Sequence, residues 1–184
     1  IDAVVRILEC AGNAAVLIDE AYFEFCGVTA LPLLNRFPNL FVSRTFSKVY
    51  GMAAMRLGCL FSQARNIAYM HKAQSPYSVN MLAALAARAA IRDVEYVRYY
   101  VAEALAAREL LCQGLGKLGI PYYPSQANFI LFRAGDRAIA VRDQLREKGV
   151  LVRDRSYELP GCIRVTVGTR EQIARFLAAL EEIW

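Results

Sequence analysis

Two short apolar runs that stop abruptly at polar residues constrain this chain more than any other feature. Ala14 to Ile18 is continuously apolar and ends at Asp19, and Asn39 to Ser43 repeats the pattern. Apolar runs this short and unbroken read as strands covered on both faces in a parallel sheet. Helical spacing precedes them: Val4, Val5, Leu8 and Ala11 share one face over residues 3–11, and Gly12-Asn13 stops that helix. Strands interleaved with helices make an α/β fold. Ligands of open α/β sheets bind outside the carboxyl ends of the strands, which is where Asp19 falls.

The same reading carries through the chain. A loop with Gly27 and Pro32 leads to a short helix near Leu33-Leu34. Gly51 to Met55 is a helical turn or loop, and Leu57 to Phe61 a third strand. Residues 63–73 and 78–92 have helical periodicity, with Ser75-Pro76 as the break. A long helix is predicted from about Asp93 to Leu118, ended by Gly119-Ile120-Pro121. Beyond it the pattern changes to a strand at Asn128 to Phe132 and a helix over 136–148. Strands at Val150 to Val152 and Ile163 to Val167 follow, and then a helix over 170–183. Two domains are therefore expected: a mainly parallel α/β one over residues 1–92 and a compact α+β one over 93–184.

Composition narrows the function classes. With 184 residues, 57% of them hydrophobic, the chain can bury a sizeable core. The net charge of +5 is mild, and the arginines are scattered rather than run together. That argues against a nucleic-acid binder and suits basic groups that meet an anionic small molecule. The five cysteines are odd in number and widely spaced, without Cys-x-x-Cys, which fits reduced thiols in a cytoplasmic setting. No apolar stretch is long enough to span a membrane, and no signal peptide is visible. The first residues, Ile1-Asp2-Ala3-Val4-Val5-Arg6, lack an initiator Met and read as the inside of a helix, so a start within a longer protein is expected.

The chemistry concentrates around Ser43-Arg44-Thr45-Phe46-Ser47-Lys48-Val49-Tyr50-Gly51. Each residue has an ordinary explanation when taken alone. Asp19 reads as a strand-end cap, Tyr22 as packing and Lys48 as a solvated surface amine. Thr45 and Ser47 read as turn residues and Arg56 as an ion-pair partner. Taken together and in this order, they are the groups that hold pyridoxal phosphate. A lysine amine forms a Schiff base with its aldehyde, and a carboxylate keeps the pyridine nitrogen protonated. A phenol can bond the ring oxygen, and hydroxyls with a forked guanidinium can hold the phosphate. His71, the only histidine, lies on a predicted helix beside Lys72 and reads as a surface or interface residue.

Three segments carry a resemblance: Val16-Leu17-Ile18-Asp19-Glu20-Ala21-Tyr22, Arg44-Thr45-Phe46-Ser47-Lys48 and Gly51-Met52-Ala53-Ala54-Met55-Arg56-Leu57-Gly58. They resemble the fold-type I PLP-dependent enzymes, and among these the histidinol-phosphate aminotransferase family. Gly149 to Asp154 and Gly161 to Thr169 add to the likeness, which runs over essentially the whole chain. The resemblance implies that Lys48 is the Schiff-base lysine, that Asp19 pairs with the pyridine nitrogen and that Tyr22 bonds the ring oxygen. It implies that Thr45, Ser47 and Arg56 hold the cofactor phosphate. Arg164 would clamp the substrate α-carboxylate, and Arg153 would lie near the substrate phosphate. Asn128 resembles the family's active-site lining, without an assigned contact.

The family's chains are about twice this long, so the likeness is to their C-terminal part. The implied activity is exchange of an amino group between glutamate and imidazole-acetol phosphate in histidine biosynthesis, by a cytoplasmic homodimer. Two alternatives stay open. One is a related PLP enzyme, either a decarboxylase of a phosphorylated amino acid or an aromatic aminotransferase. The other is a non-catalytic folding or dimerisation module. The arginines have readings of their own. Arg164 sits in an apolar strand, where a lone charge is costly, so a ligand or a buried acid is expected beside it. Arg153 could equally pair with Asp154 or Glu158.

Overall fold

The structure, a computed structural model, describes residues 1–184, which divide into one unit over Ile1–Val97 and a second over Arg98–Trp184. The first unit runs α1 (Asp2–Cys10), β1 (Val16–Asp19), α2 (Phe23–Cys26), a 3-10 turn (Leu31–Asn35) and β2 (Leu40–Thr45). It continues with a second 3-10 turn (Ala53–Met55), β3 (Gly58–Phe61), α3 (Ala64–Ala73) and α4 (Met81–Arg92). The sheet order is β1-β2-β3. β1 and β2 pair in parallel, with Val16 opposite Leu40 and Asp19 opposite Ser43. β2 and β3 pair antiparallel, so the sheet is mixed rather than uniformly parallel. The segment between them holds only a 3-10 turn. A parallel return is usually carried by a helix crossing the sheet, and this connection has none.

Side-chain parity organises this sheet. Val16 and Ile18 of β1 join Leu40 and Val42 of β2 in a core with Leu8, Phe37 and Ala30. Leu40 and Val42 are fully buried. Burial at this level is worth about 1.5–3 kcal/mol for each such side chain. The other face differs from the expectation of a strand covered on both sides. Leu17, between two core residues, is 61% exposed.

The second unit begins inside a helix. α5 (Val94–Lys117) starts at the end of the first unit and continues through the division at Val97/Arg98. It is followed by β4 (Tyr122–Tyr123), β5 (Phe129–Arg133), α6 (Ala138–Glu147), β6 (Arg153–Asp154), β7 (Cys162–Thr166) and α7 (Arg170–Glu181). The strands form one antiparallel sheet in the order β4-β5-β7-β6. Ala107, Leu111 and Leu115 recur at four-residue intervals on α5 and share a core with Ile130, Phe132, Leu145, Ile163, Val165, Phe176 and Leu180. Phe132 and Phe176 meet with ring centroids 6.2 Å apart. Gly114 lets α5 approach α7, because a Cβ there would collide with the Leu177 side chain. A reciprocal cap between Thr169 and Gln172 starts α7.

The expected strand at Val150 to Val152 is not formed. Gly149, at φ +72°, ends α6 with its N–H bonded to Arg146 O at 2.9 Å. The Val150 N–H then turns back to Leu145 O at 2.9 Å. These two bonds complete the helix terminus, so sheet pairing starts only at Arg153. Val150 and Val152 still pack on the core, whereas Leu151 is exposed, which explains the strand-like pattern. β4, two residues long, gave no periodic signal at all.

Candidate active site

Alternation along β1 and β2 puts two sets of polar side chains on opposite faces of one sheet edge. Leu40, Val42 and Arg44 point one way, and Phe41, Ser43 and Thr45 the other. On β1, Val16 and Ile18 point to the core, and Leu17 and Asp19 away from it. Asp19 is the register partner of Ser43, and the Ser43 hydroxyl donates to Asp19 Oδ1 at 2.9 Å. The Glu20 N–H donates to Ser43 O at 2.9 Å, which carries the parallel ladder one residue past the strand.

The chain after β2 turns tightly. Thr45 Oγ1 accepts from the Ser47 N–H at 3.1 Å. The turn delivers Lys48, half-buried, with its Nζ 5.3 Å from the centroid of the Tyr22 ring. No acid pairs with this amine. Tyr22 caps α2, just beyond the end of β1. Arg56 closes the edge. Thr45 is opposite Gly58, and the Phe46 N–H reaches Leu57 O at 3.2 Å, so the ladder brings Arg56 back beside the turn. Arg56 has φ +53°, the left-handed region, and is the single non-glycine residue there. Its Nη1 donates to Ala53 O at 2.8 Å, and no carboxylate pairs with it. The structure thus gathers Asp19, Tyr22, Thr45, Ser47, Lys48 and Arg56 at one sheet edge.

Sequence reasoning missed the opposite face. Glu20 is 7% exposed, the one buried charged residue in the core. It accepts from the Ala30 N–H at 2.6 Å, from Thr29 Oγ1 at 2.9 Å and from Arg44 Nε at 3.0 Å. Arg44 Nη2 also lies 2.9 Å from Glu20 Oε2, and its guanidinium stacks on Phe23 at 3.6 Å. The pair ties β1, α2 and β2 together beneath the site. Breaking such a pair from one side costs about 3–5 kcal/mol, because it leaves a buried charge uncompensated. The signal was available: Arg44 is two residues from Val42, so it had to face the core, and a charge there needs a partner. Glu24, half-buried on α2, has its carboxyl pushed up chiefly by burial, with a smaller contribution from Glu20, while Arg44 pulls it down. Burial, then the charge of Glu24, raises the Tyr50 phenol.

The second unit holds the two arginines singled out by resemblance. Arg153 and Arg164 are register partners on β6 and β7. Like charges directly opposite each other destabilise a sheet unless something offsets them. Neither has a protein acid. Glu158 pairs with Arg155, and Asp154 Oδ1 accepts from the Ser156 N–H at 2.9 Å. Both partners considered for Arg153 are therefore taken. The Arg164 guanidinium lies 5.4 Å from the Phe129 ring centroid, and its Nε is buried without a hydrogen-bond partner. A buried N–H left unmatched costs about 1–3 kcal/mol. An anion between these guanidinium groups would remove both penalties. Asn128 donates no side-chain bond there; its carbonyl accepts from the Val167 N–H at 2.8 Å.

The pattern of the family described as aminotransferase class I and II matches residues 1–180. The chain belongs to that family. Among curated class I and II aminotransferases it is 44% identical, over 172 residues, to the histidinol-phosphate aminotransferase of Symbiobacterium thermophilum, covering 92% of this chain and 48% of that one. It is 40% identical over 185 residues to the enzyme of the same name from Cytophaga hutchinsonii, covering 98% and 53%. A solved structure of histidinol-phosphate aminotransferase from Sinorhizobium meliloti, in complex with pyridoxal-5'-phosphate, superimposes with a TM-score of 0.85 at 25% identity, over 97% of this chain and 52% of that one. The chain spans about half the length of the curated relatives it matches. No helix is long and apolar enough to cross a membrane.

Proposed function

We propose that this chain carries the cofactor-anchoring and substrate-gripping residues of a PLP-dependent aminotransferase that moves an amino group between glutamate and imidazole-acetol phosphate. The observation that carries the proposal is the half-buried, acid-free Lys48 amine beside Tyr22, at the edge where Asp19 ends β1. The donor set fits the cofactor: a lysine amine, a carboxylate, a phenol, two hydroxyls and a guanidinium with no carboxylate of its own. Bound there, pyridoxal phosphate supplies the aldehyde that takes up the amino group and the ring that accepts electrons from the substrate.

The chain's residues do the rest. Lys48 Nζ would hold the cofactor through its aldehyde and, as a free amine, would take the proton from the substrate Cα. Asp19 keeps the ring nitrogen protonated, and Tyr22 donates to the ring oxygen. Thr45, Ser47 and Arg56 hold the cofactor phosphate. Arg164 grips an α-carboxylate with a planar fork, and Arg153 meets a substrate phosphate, which accounts for two adjacent cations without an acid. A homodimer fits the apolar side chains exposed on the first unit, among them Tyr77, Met81 and Leu82.

The test uses the full-length protein. Adding PLP should produce an absorbance band near the visible edge, borohydride should fix the cofactor on Lys48, and Lys48→Ala should abolish both. Arg153→Ala should raise KM for the phosphorylated substrate about tenfold or more, with a smaller effect on glutamate. A band and a borohydride adduct that survive Lys48→Ala would refute the proposal.

A further inference from the structure

We infer that Ser43 is a positioning residue, one that orients the Asp19 carboxylate so that a single oxygen is presented to the cofactor ring. The inference rests on the PLP reading above and names a residue which that reading does not use. Ser43 lies directly across from Asp19 in the parallel register. Its hydroxyl donates to Asp19 Oδ1 at 2.9 Å, and its carbonyl accepts from the Glu20 N–H at 2.9 Å. Main chain and side chain of one residue therefore hold both sides of the Asp19–Glu20 junction.

A carboxylate at a strand end turns easily about its last torsion, because that torsion is broad and roughly two-fold. A ring N–H needs an acceptor oxygen near its own plane, so free rotation would dilute the productive orientation. A serine hydroxyl has one proton to give, and here Asp19 Oδ1 takes it. Oδ2 is left as the oxygen for the ring. The face beneath is locked independently, with Arg44 and Glu20 paired at 2.9 Å and Arg44 stacked on Phe23 at 3.6 Å. Ser43 and Arg44 are neighbours of opposite parity. The buried pair therefore steadies the backbone from which Ser43 projects, on the same face as Asp19 and directly across from it.

The experiment compares Ser43→Ala, Ser43→Thr and wild type in the full-length protein, and repeats Ser43→Ala on an Asp19→Asn background. Ser43→Ala should weaken PLP binding, read by titrating the absorbance band, roughly threefold to tenfold. It should lower kcat by a similar factor and leave KM for the amino donor unchanged. Ser43→Thr, which keeps the hydroxyl, should restore both. On the Asp19→Asn background Ser43→Ala should add almost nothing, as expected for two residues that act through one contact. Wild-type PLP affinity in Ser43→Ala, an undiminished effect on the Asp19→Asn background, or a loss that follows the melting temperature and is not rescued by Thr would each overturn the inference. Borohydride trapping separates the two levels. A wild-type protein with no adduct at Lys48 sinks the PLP reading and this inference together. An adduct at Lys48 with a silent Ser43→Ala sinks this inference alone.

Discussion

The two units solve the burial problem differently. In the second, one antiparallel sheet is backed by helices, and Leu111, Leu115, Ile130, Phe132, Leu145, Ile163 and Leu180 all reach 0% exposure. In the first, the core on one side of β1 and β2 is small, and the other side carries the chemistry. There Leu17 is 61% exposed, and on α4 Met81 and Leu82 are 77% and 69% exposed. The second unit spends its sequence on a closed core, with two arginines directly opposite each other on the β6–β7 ladder. The first spends it on a polar sheet edge held by one buried ion pair. Sites built from several segments need groups that do not stabilise the fold, so the stability has to come from elsewhere.

The largest expected effect tests that contrast directly. Residues 98–184, expressed alone, should unfold in one cooperative transition, because their core is internal to the segment. Residues 1–97 alone should bind a hydrophobic dye and melt without cooperativity. Cooperative unfolding of the 1–97 segment, followed by circular dichroism and fluorescence together, would break the comparison. At the level of single side chains, Leu111→Ala should cost about 2–5 kcal/mol, as for a buried leucine whose site cannot collapse. Leu17→Ala should cost under about 0.5 kcal/mol, as for an exposed position. Urea unfolding of both variants in this 184-residue chain checks the ratio.

What the sequence disclosed follows the same division. The strands at Val16–Asp19 and Leu40–Thr45 and the long α5 were legible, because each rests on a local pattern, and the segment around Lys48 stands out by its residue types alone. The pairing of Glu20 with Arg44 was less so. Glu20 lies in the segment 16–22 and Arg44 in the segment 44–48, but only the register of β1 against β2 shows that they meet. The same holds for Arg153 opposite Arg164, which are far apart in sequence and joined by the β6–β7 ladder. The mistaken strand at Val150 to Val152 has the converse origin. Its apolar pattern is real, and a helix terminus used the hydrogen bonds that a strand would have needed. Leu17 reads as buried from its apolar run, and its 61% exposure is that of a chain spanning about half the length of its relatives.

The smallest effect separates the units by the sign of their response to pH. Glu24, in the first unit, has its carboxyl raised above the ordinary 4.5, first by burial, then against the pull of its own backbone hydrogen bond and of Arg44. A raised acid favours the folded state while it is protonated. Its contribution is therefore fully present below the unfolded value and is lost as pH rises through the folded one. Glu103, in the second unit, is lowered from 4.5, first by the hydrogen bond from the Arg170 side chain and then by the Arg170 N–H. Nε of Arg170 lies 2.9 Å from Glu103 Oε2, and its N–H 2.8 Å from Oε1. A lowered acid contributes above the unfolded value and loses that contribution as pH falls through the folded one. The slopes thus have opposite signs around the same ordinary value. Glu24→Gln should raise the melting temperature at neutral pH and lose that advantage in acid. Glu103→Gln should lower it at neutral pH and become silent in acid. Melting curves of the two variants against wild type, taken from pH 3 to pH 8, decide the matter. If both differences ran in the same direction with pH, the half-buried acid of the first unit and the paired acid of the second would not be the opposites that their surroundings make them.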